Sequence, residues 1–368
     1  MVVTTLGRRR ILGYRAAAQG LDRTSAGRDR VLALGVQDTP YGSARDALAA
    51  RSDDAAAEHD SLVLVWSWRG APHLHRPGDL AFLAAALWPV NDTDATTRIG
   101  TGQIREGAQR GLRAFTEAAE AMGAALTGPM TKGELSAAVS AAVPADLTYH
   151  CPSCRTRHIS GALFQQVGLA ARVRVCPQGR STHLDVLPAG IGPDAVPERA
   201  ESTAAALHRY ADVLAPVTPA GLAAFLGTDI ATIRAVLPDD LVPVNGPAGT
   251  GLVPASAVAD LDGAADVRAT RLLPPGDPWL QARDREFLVP DRARRKAIWR
   301  PIGSPGVVLV DGEIRGIWRA RATSRDTLAV SVEPFEPLSV RTRDELEAEA
   351  QRLARARERT GATVGYAG

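Results

Sequence analysis

A chain of 368 residues, 45% apolar and 23% charged with a net charge of +2, has the composition of an ordinary soluble globular protein. No stretch approaches the roughly 20 consecutive apolar residues that a membrane span requires, which excludes a helical membrane protein. The near-neutral balance does not by itself announce nucleic-acid binding.

The positive charge is nevertheless concentrated. Residues 7–31 carry seven arginines against Asp22 and Asp29, and residues 281–325 carry ten arginines and Lys296 against five acids. Lys132 and Lys296 are the only lysines; arginine is the better side chain for bidentate phosphate contacts. Two basic regions on a neutral chain suit a polyanion gripped at chosen places, or else form a solvated basic face. Three cysteines, an odd number, argue against a secreted disulfide framework. Arg8, Arg9 and Arg10 lack the apolar core of a signal peptide, so a cytoplasmic protein is expected.

The length implies two to four modules. Residues 1–125 read as mostly helical with one hairpin. Helices are expected over 9–21 and 43–51, and β-type residues over 62–68 lead into a turn at 69–72. A further helix is expected over 77–87 and a long Ala-rich one over 103–122. Residues 126–200 read as a helix-turn-helix with a wing. Thr131 caps a helix from Lys132, with Glu134 completing a capping box. A recognition-type helix is expected over 158–169, and strands 172–176 and 182–187 make the wing. The pattern repeats over 201–265, with helices 202–214, from Thr218, and from Thr228 or Asp229 to Leu237, then a second wing at 242–253. Beyond 266 the texture turns to β, with strands over 307–310, 314–320 and 328–332 and a hairpin signal at Asp311-Gly312. Thr342 is expected to cap a closing helix to about Arg357, with a frayed tail. The fold class is therefore mainly α with β: tandem winged helices followed by a small, barrel-like β domain at 266–368.

Two segments carry chemistry. In Leu34-Gly35-Val36-Gln37-Asp38-Thr39-Pro40 an apolar pair runs into an amide. In Trp66-Ser67-Trp68-Arg69-Gly70-Ala71-Pro72-His73 an apolar strand ends in a Trp-rich turn and a histidine. An amide and an imidazole suit the holding of a water beside a bond whose cleavage leaves a positive sugar. Read alone, Gln37 is a helix cap and Asp38 an Asx turn before Pro40. His73 and His75 alternate on one strand and share a face. Cys151-x2-Cys154 with His158, and Cys176 beyond, has metal-ligand character; the same cysteines read otherwise as a turn with free thiols.

Taken in order, Leu34-Gly35-Val36-Gln37, Trp68-Arg69-Gly70-Ala71-Pro72-His73, Leu272-Leu273-Pro274 with Arg283-Asp284-Arg285, and Val308 to Arg319 resemble the AlkZ/YcaQ-type bacterial DNA glycosylases over nearly the whole chain. The resemblance implies tandem winged helices wrapped around duplex DNA and a monofunctional enzyme that uses water, needs no cofactor, and releases bulky alkylated purines or unhooks interstrand crosslinks. It assigns Gln37 and His73 to the active site. The chain departs from the family pattern of glutamine, an apolar residue, then glutamine or aspartate: it has Gln37-Asp38-Thr39. It also has Ala71-Pro72 where the family usually has Thr-Leu. On the residues themselves Thr39 offers a second water contact, and Asp38, the one carboxylate close by in sequence, either serves as a base or electrostatic stabiliser or makes the Asx turn, a choice the resemblance leaves open. DNA contacts are expected from Arg69, Arg172, Arg174, Arg180, Arg294, Arg295, Arg315 and Arg319. A structural zinc is the one metal the spacing predicts. The protein is expected to act as a monomer on double-stranded DNA in the nucleoid. The competing reading is a non-catalytic winged-helix DNA binder, a damage sensor or regulator.

Overall fold

The structure, a computed structural model, describes residues 5–100, 102–179, 181–323 and 326–367. Among them no helix is long and apolar enough to cross a membrane. The chain divides into two compact units, one of residues 1–61, 209–221 and 239–368, the other of 62–208 and 222–238.

The first unit contains the C-terminal sheet. Five strands lie in the order Thr270–Leu273, Gly306–Val310, Glu313–Ala322, Thr327–Pro334, Gly361–Tyr366. The first four pair antiparallel and the last joins in parallel. Asp311 and Gly312 adopt φ of 49° and 80°, the left-handed pair that a tight two-residue hairpin needs. Helix Val340–Ala356 covers the sheet. Its Leu346, Ala350, Leu353 and Ala354 recur at i, i+4, i+7 and i+8 and meet Val308, Trp318, Leu328, Val330 and Val332. Truncating the fully buried Leu346 to alanine is expected to cost about 2–5 kcal/mol.

Two expectations fail here. The cap of the closing helix is Ser339, whose Oγ accepts the N–H of Thr342 at 3.1 Å. The tail is ordered as a strand, because Thr360 and Gly361 donate to the Asp326 carbonyl and lead Ala362, Val364 and Tyr366 onto the core.

The second unit is built around Trp66, Trp88, Phe115 and Phe164, with Trp66 and Phe164 rings 5.5 Å apart. Thr131 caps helix Lys132–Ala142 with the full capping box: Thr131 Oγ1 accepts the Glu134 N–H at 3.2 Å, and Glu134 accepts the Thr131 N–H at 2.8 Å. The strands Val173–Gln178 and Ser181–Val186 pair antiparallel, and Met130–Thr131 adds to the second of them.

The long helix expected over 103–122 is broken into Arg105–Ala108 and Leu112–Ala125. At the break Gly111 (φ 59°) lies against Asp92, whose Oδ1 accepts the Leu112 N–H at 2.9 Å and so caps a new helix. The recognition-type helix is also displaced. Residues Thr156–Ile159 fold back as a strand on Thr148–Cys151, and helix begins only at Gly161, ending at Gln166. A turn closed by the Arg155 N–H on the Cys151 carbonyl, 2.9 Å, starts that reversal.

Candidate active site

Strand Val36–Gln37 delivers an amide to a half-buried position, and the chain then turns through buried Asp38 and exposed Thr39. The Asp38 carboxylate is occupied locally: Oδ1 accepts the Ala44 N–H at 2.9 Å, at the start of helix Ser43–Ala49. Burial pushes its pKa up. Tyr41, just past the cis Thr39–Pro40 peptide, stands 42% exposed.

The partner of Gln37 comes from 244 residues away. Gln281 Nε2 donates to Gln37 Oε1 at 3.0 Å and to the Gly276 carbonyl at 3.2 Å. Gly276 has φ of 81°, and a Cβ built on it would lie 3.1 Å from the Thr39 carbonyl oxygen and 3.6 Å from Gln37 Nε2. A side chain there would be strained by the positive φ and would press on the Thr39 carbonyl, while only touching the Gln37 amide at ordinary contact distance.

The turn that carries Gln281 is anchored by Asp277, which accepts the Trp279 N–H at 2.9 Å. Both Asp277 oxygens also receive the guanidinium of Arg51, at 2.8 and 2.9 Å, with both side chains wholly buried. Arg51 completes its bonds on the carbonyls of Gln19 and Ala47. Breaking such a pair from one side costs about 3–5 kcal/mol, because a buried charge is left alone. The Gln281 carbonyl in turn accepts the Tyr210 hydroxyl at 3.1 Å. Gln37 and Gln281 thus sit on rigid supports.

Two residues beyond Gln281 the chain enters a groove of about 890 Å³, lined among others by Arg8, Arg283, Arg285, Arg295, Lys296 and Trp299. Arg285 stacks on Trp299 at 5.0 Å. Arg283 is desolvated, which pulls its pKa down. The groove's acids, Asp284 and Glu286, lie opposite Arg15 at 2.7 Å and Arg295 at 3.5 Å. Lys296 has no partner among the described residues, so positive charge is left over.

The second unit holds His73 and His75. Strands Val63–Trp66 and Pro72–His75 pair with Val65 opposite His73. His73 is buried and its Nδ1–H donates to the Ala71 carbonyl at 2.9 Å. A carbonyl can only accept, so the proton is on Nδ1 and Nε2 carries the lone pair. Burial first, then the charges of His75 and Arg69, holds its pKa well below the usual histidine range. His75 Nε2 lies 2.9 Å from Ser67 Oγ, and the two imidazole rings are 6.0 Å apart. Arg69 donates to the Phe225 carbonyl and lies 4.8 Å over the Phe225 ring.

Several expected DNA-contacting arginines have partners inside the protein. Arg172 donates to the carbonyls of Leu187, Pro188 and Pro193 and so ties down a loop. Arg174 faces Asp185 across the hairpin at 2.6 Å. Arg294 and Arg315 share Glu336, at 3.1 and 3.5 Å, and Arg294 also lies over Phe335. Arg295 donates to the Val289 and Pro290 carbonyls. Arg319 donates to the Gly303 carbonyl at 2.9 Å while staying exposed. Arg180, and Arg325 at the end of the second basic region, lie outside the described residues. Cys151, Cys154 and His158 converge, whereas Cys176 stays on the neighbouring hairpin opposite His183.

Gln281 was not foreseen, because a lone glutamine carries no local pattern. Only the nearby Arg283-Asp284-Arg285 marked its segment.

Residues 31–356 match the family described as DNA glycosylase AlkZ-like. Among solved structures, the Streptomyces sahachiroi DNA glycosylase AlkZ is similar, with a TM-score of 0.73 and 20% identity over 99% of this chain and 100% of that one. At that identity the likeness is one of fold. No curated protein matches the chain.

Proposed function

The chain belongs to the AlkZ-like DNA glycosylase family, and from that premise we propose that it hydrolyses the N-glycosidic bond of purines alkylated at N3 or N7 in double-stranded DNA. The observation that carries the reading is the Gln37–Gln281 pair beside a cationic groove in the same unit.

An N3- or N7-alkylpurine is already a cationic leaving group, so the protein need only hold a water beneath the anomeric carbon and tolerate an oxocarbenium-like sugar. A neutral amide suits that task. With Gln281 donating to one lone pair of Oε1, Gln37 keeps a second lone pair for the water's proton and two N–H donors. Thr39, exposed on the same turn, supplies a further hydroxyl contact. Asp38 is best assigned to holding that turn, since its carboxylate is bound to the start of helix Ser43–Ala49 and buried. His73 is neutral and buried, with Nδ1 bound to the Ala71 carbonyl, so it does not face DNA directly. Tyr41 offers an exposed ring on which an unstacked base can rest. Arg285 and Lys296 are the groove cations best placed for phosphate.

Tandem winged helices gripping the duplex remain the architecture we infer, supported by helices followed by hairpins at 112–186 and 203–254. The enzyme acts as a monomer in the nucleoid and uses no catalytic metal.

A duplex bearing one N7-methylguanine separates this from a DNA binder that does no chemistry. An enzyme leaves an abasic site that alkali cleaves. A binder retards the duplex in a gel and leaves it intact, and that outcome would overturn the proposal.

A further inference from the structure

We propose that Cys151, Cys154 and His158 form a zinc site, with water in the fourth position, that staples the hairpin Thr148–Cys151/Thr156–Ile159. The inference stands apart from the glycosylase reading, since the hairpin belongs to the other unit from Gln37.

The geometry is that of a knuckle. Cys151 ends the first strand, residues 152–155 make the turn, and His158 sits on the returning strand opposite Tyr149. Side chains alternate between faces along a strand, so Tyr149 and Cys151 share a face, and His158 joins that face from across the hairpin. His150, opposite Arg157, points to the other side and is excluded. The Sγ atoms of Cys151 and Cys154 and a ring nitrogen of His158 all lie within 4.8 Å of one another. Zinc bonds of about 2.3 Å to sulfur and about 2.0 Å to nitrogen put tetrahedral ligand atoms roughly 3.5–4 Å apart, so a small contraction closes the site.

The turn between the two cysteines is compact: Cys151 Sγ lies 3.7 Å from Ser153 Oγ. Arg155, immediately after Cys154, holds a left-handed φ of 54° in the tight turn closed on the Cys151 carbonyl. A non-glycine residue persists in that conformation when its surroundings over-determine it, and a metal bound on both sides of the turn would do so. Two thiolates and an imidazole select Zn²⁺ over Mg²⁺ or Ca²⁺. Among the described residues no fourth Cys, His or carboxylate joins the group, which leaves the last position to water.

The rival is a redox pair, Cys151 and Cys154 closing to a disulfide. The test uses the full chain, reduced, equilibrated with Zn²⁺ and freed of excess metal by gel filtration. About one zinc per chain is expected. Replacing zinc with Co²⁺ should give a thiolate charge-transfer band and intense tetrahedral d–d bands, a readout on the wild-type protein that needs no variant to fold. Cys154→Ser should lose the metal, Cys176→Ser should keep it, and His158→Cys should keep it with a third thiolate ligand. Chelation should speed amide exchange over residues 148–159. A metal-free chain after this treatment, whether with two free thiols or with the two-hydrogen mass loss of a disulfide, would overturn the proposal.

Discussion

Replacing Gln281 by methionine keeps the length and bulk of the side chain and removes its amide, and so tests whether Gln281 acts through Gln37. The side chain makes two neutral hydrogen bonds, 3.0 Å to Gln37 Oε1 and 3.2 Å to the Gly276 carbonyl. Gln281 and Gln37 are both only half-buried, so water can replace these bonds, and the loss of stability should be about 0.5–1.5 kcal/mol for each. The larger effect is on orientation. Without its donor the Gln37 amide is free about a broad terminal torsion. A tenfold fall in single-turnover base release is expected, equivalent to about 1.4 kcal/mol of barrier. Gln37→Ala removes the water contact itself and should cost about 10²–10³-fold, the range for loss of one preorganised group. Measured by alkali cleavage of a duplex with one N7-methylguanine, Gln281→Met should do nothing further in the Gln37→Ala background, a coupling of about 1.4 kcal/mol. If the tenfold loss persists in that background, Gln281 does not work through Gln37.

Two other outcomes follow from the geometry. Arg285→Gln with Lys296→Gln should flatten the dependence of log affinity on log salt by up to about one unit per lost phosphate contact, whereas Arg294→Gln, already held by Glu336 and Phe335, should leave the slope unchanged. His73 has a depressed pKa in the fold and an ordinary one near 6.5 when unfolded, so the unfolded state takes up the proton first. Its contribution is then complete above about pH 6.5 and shrinks as pH falls, by up to about 1.4 kcal/mol per pH unit, until the folded-state pKa is reached. Denaturant titrations at pH 7.5 and 5.5 should show a smaller pH effect in His73→Gln than in wild type; equal effects would remove His73 from the titration.

What was legible in the chain is what short-range chemistry determines. The Thr131–Glu134 capping box, the Asp311-Gly312 hairpin and the hairpin strands around 173–186 each depend on residues a few positions apart. The misreadings have long-range causes. Helix 103–122 breaks because Asp92, from an earlier helix, captures the Leu112 N–H. The strand Gly361–Tyr366 exists because Thr327–Pro334 offers it an edge, which nothing in a short Gly-rich tail announces. At the site, Gln37 stood out only through its motif. Gln281, Gly276 and the Arg51–Asp277 anchor join it through contacts more than two hundred residues apart, invisible to any periodicity. Likewise, counting arginines located the basic region 281–325 but not that Arg294 and Arg315 are bound to Glu336 and Arg295 to the carbonyls of Val289 and Pro290.

The most direct test of the central claim is release of the free base, detected by mass spectrometry, from a duplex bearing a single N7-methylguanine at saturating protein. Wild type should release the alkylated base, and Gln37→Ala, matched in DNA affinity and melting temperature, should release almost none. Undiminished release by Gln37→Ala would contradict the assignment of the water to that amide, and no release by wild type bound to the same duplex would contradict the glycosylase itself.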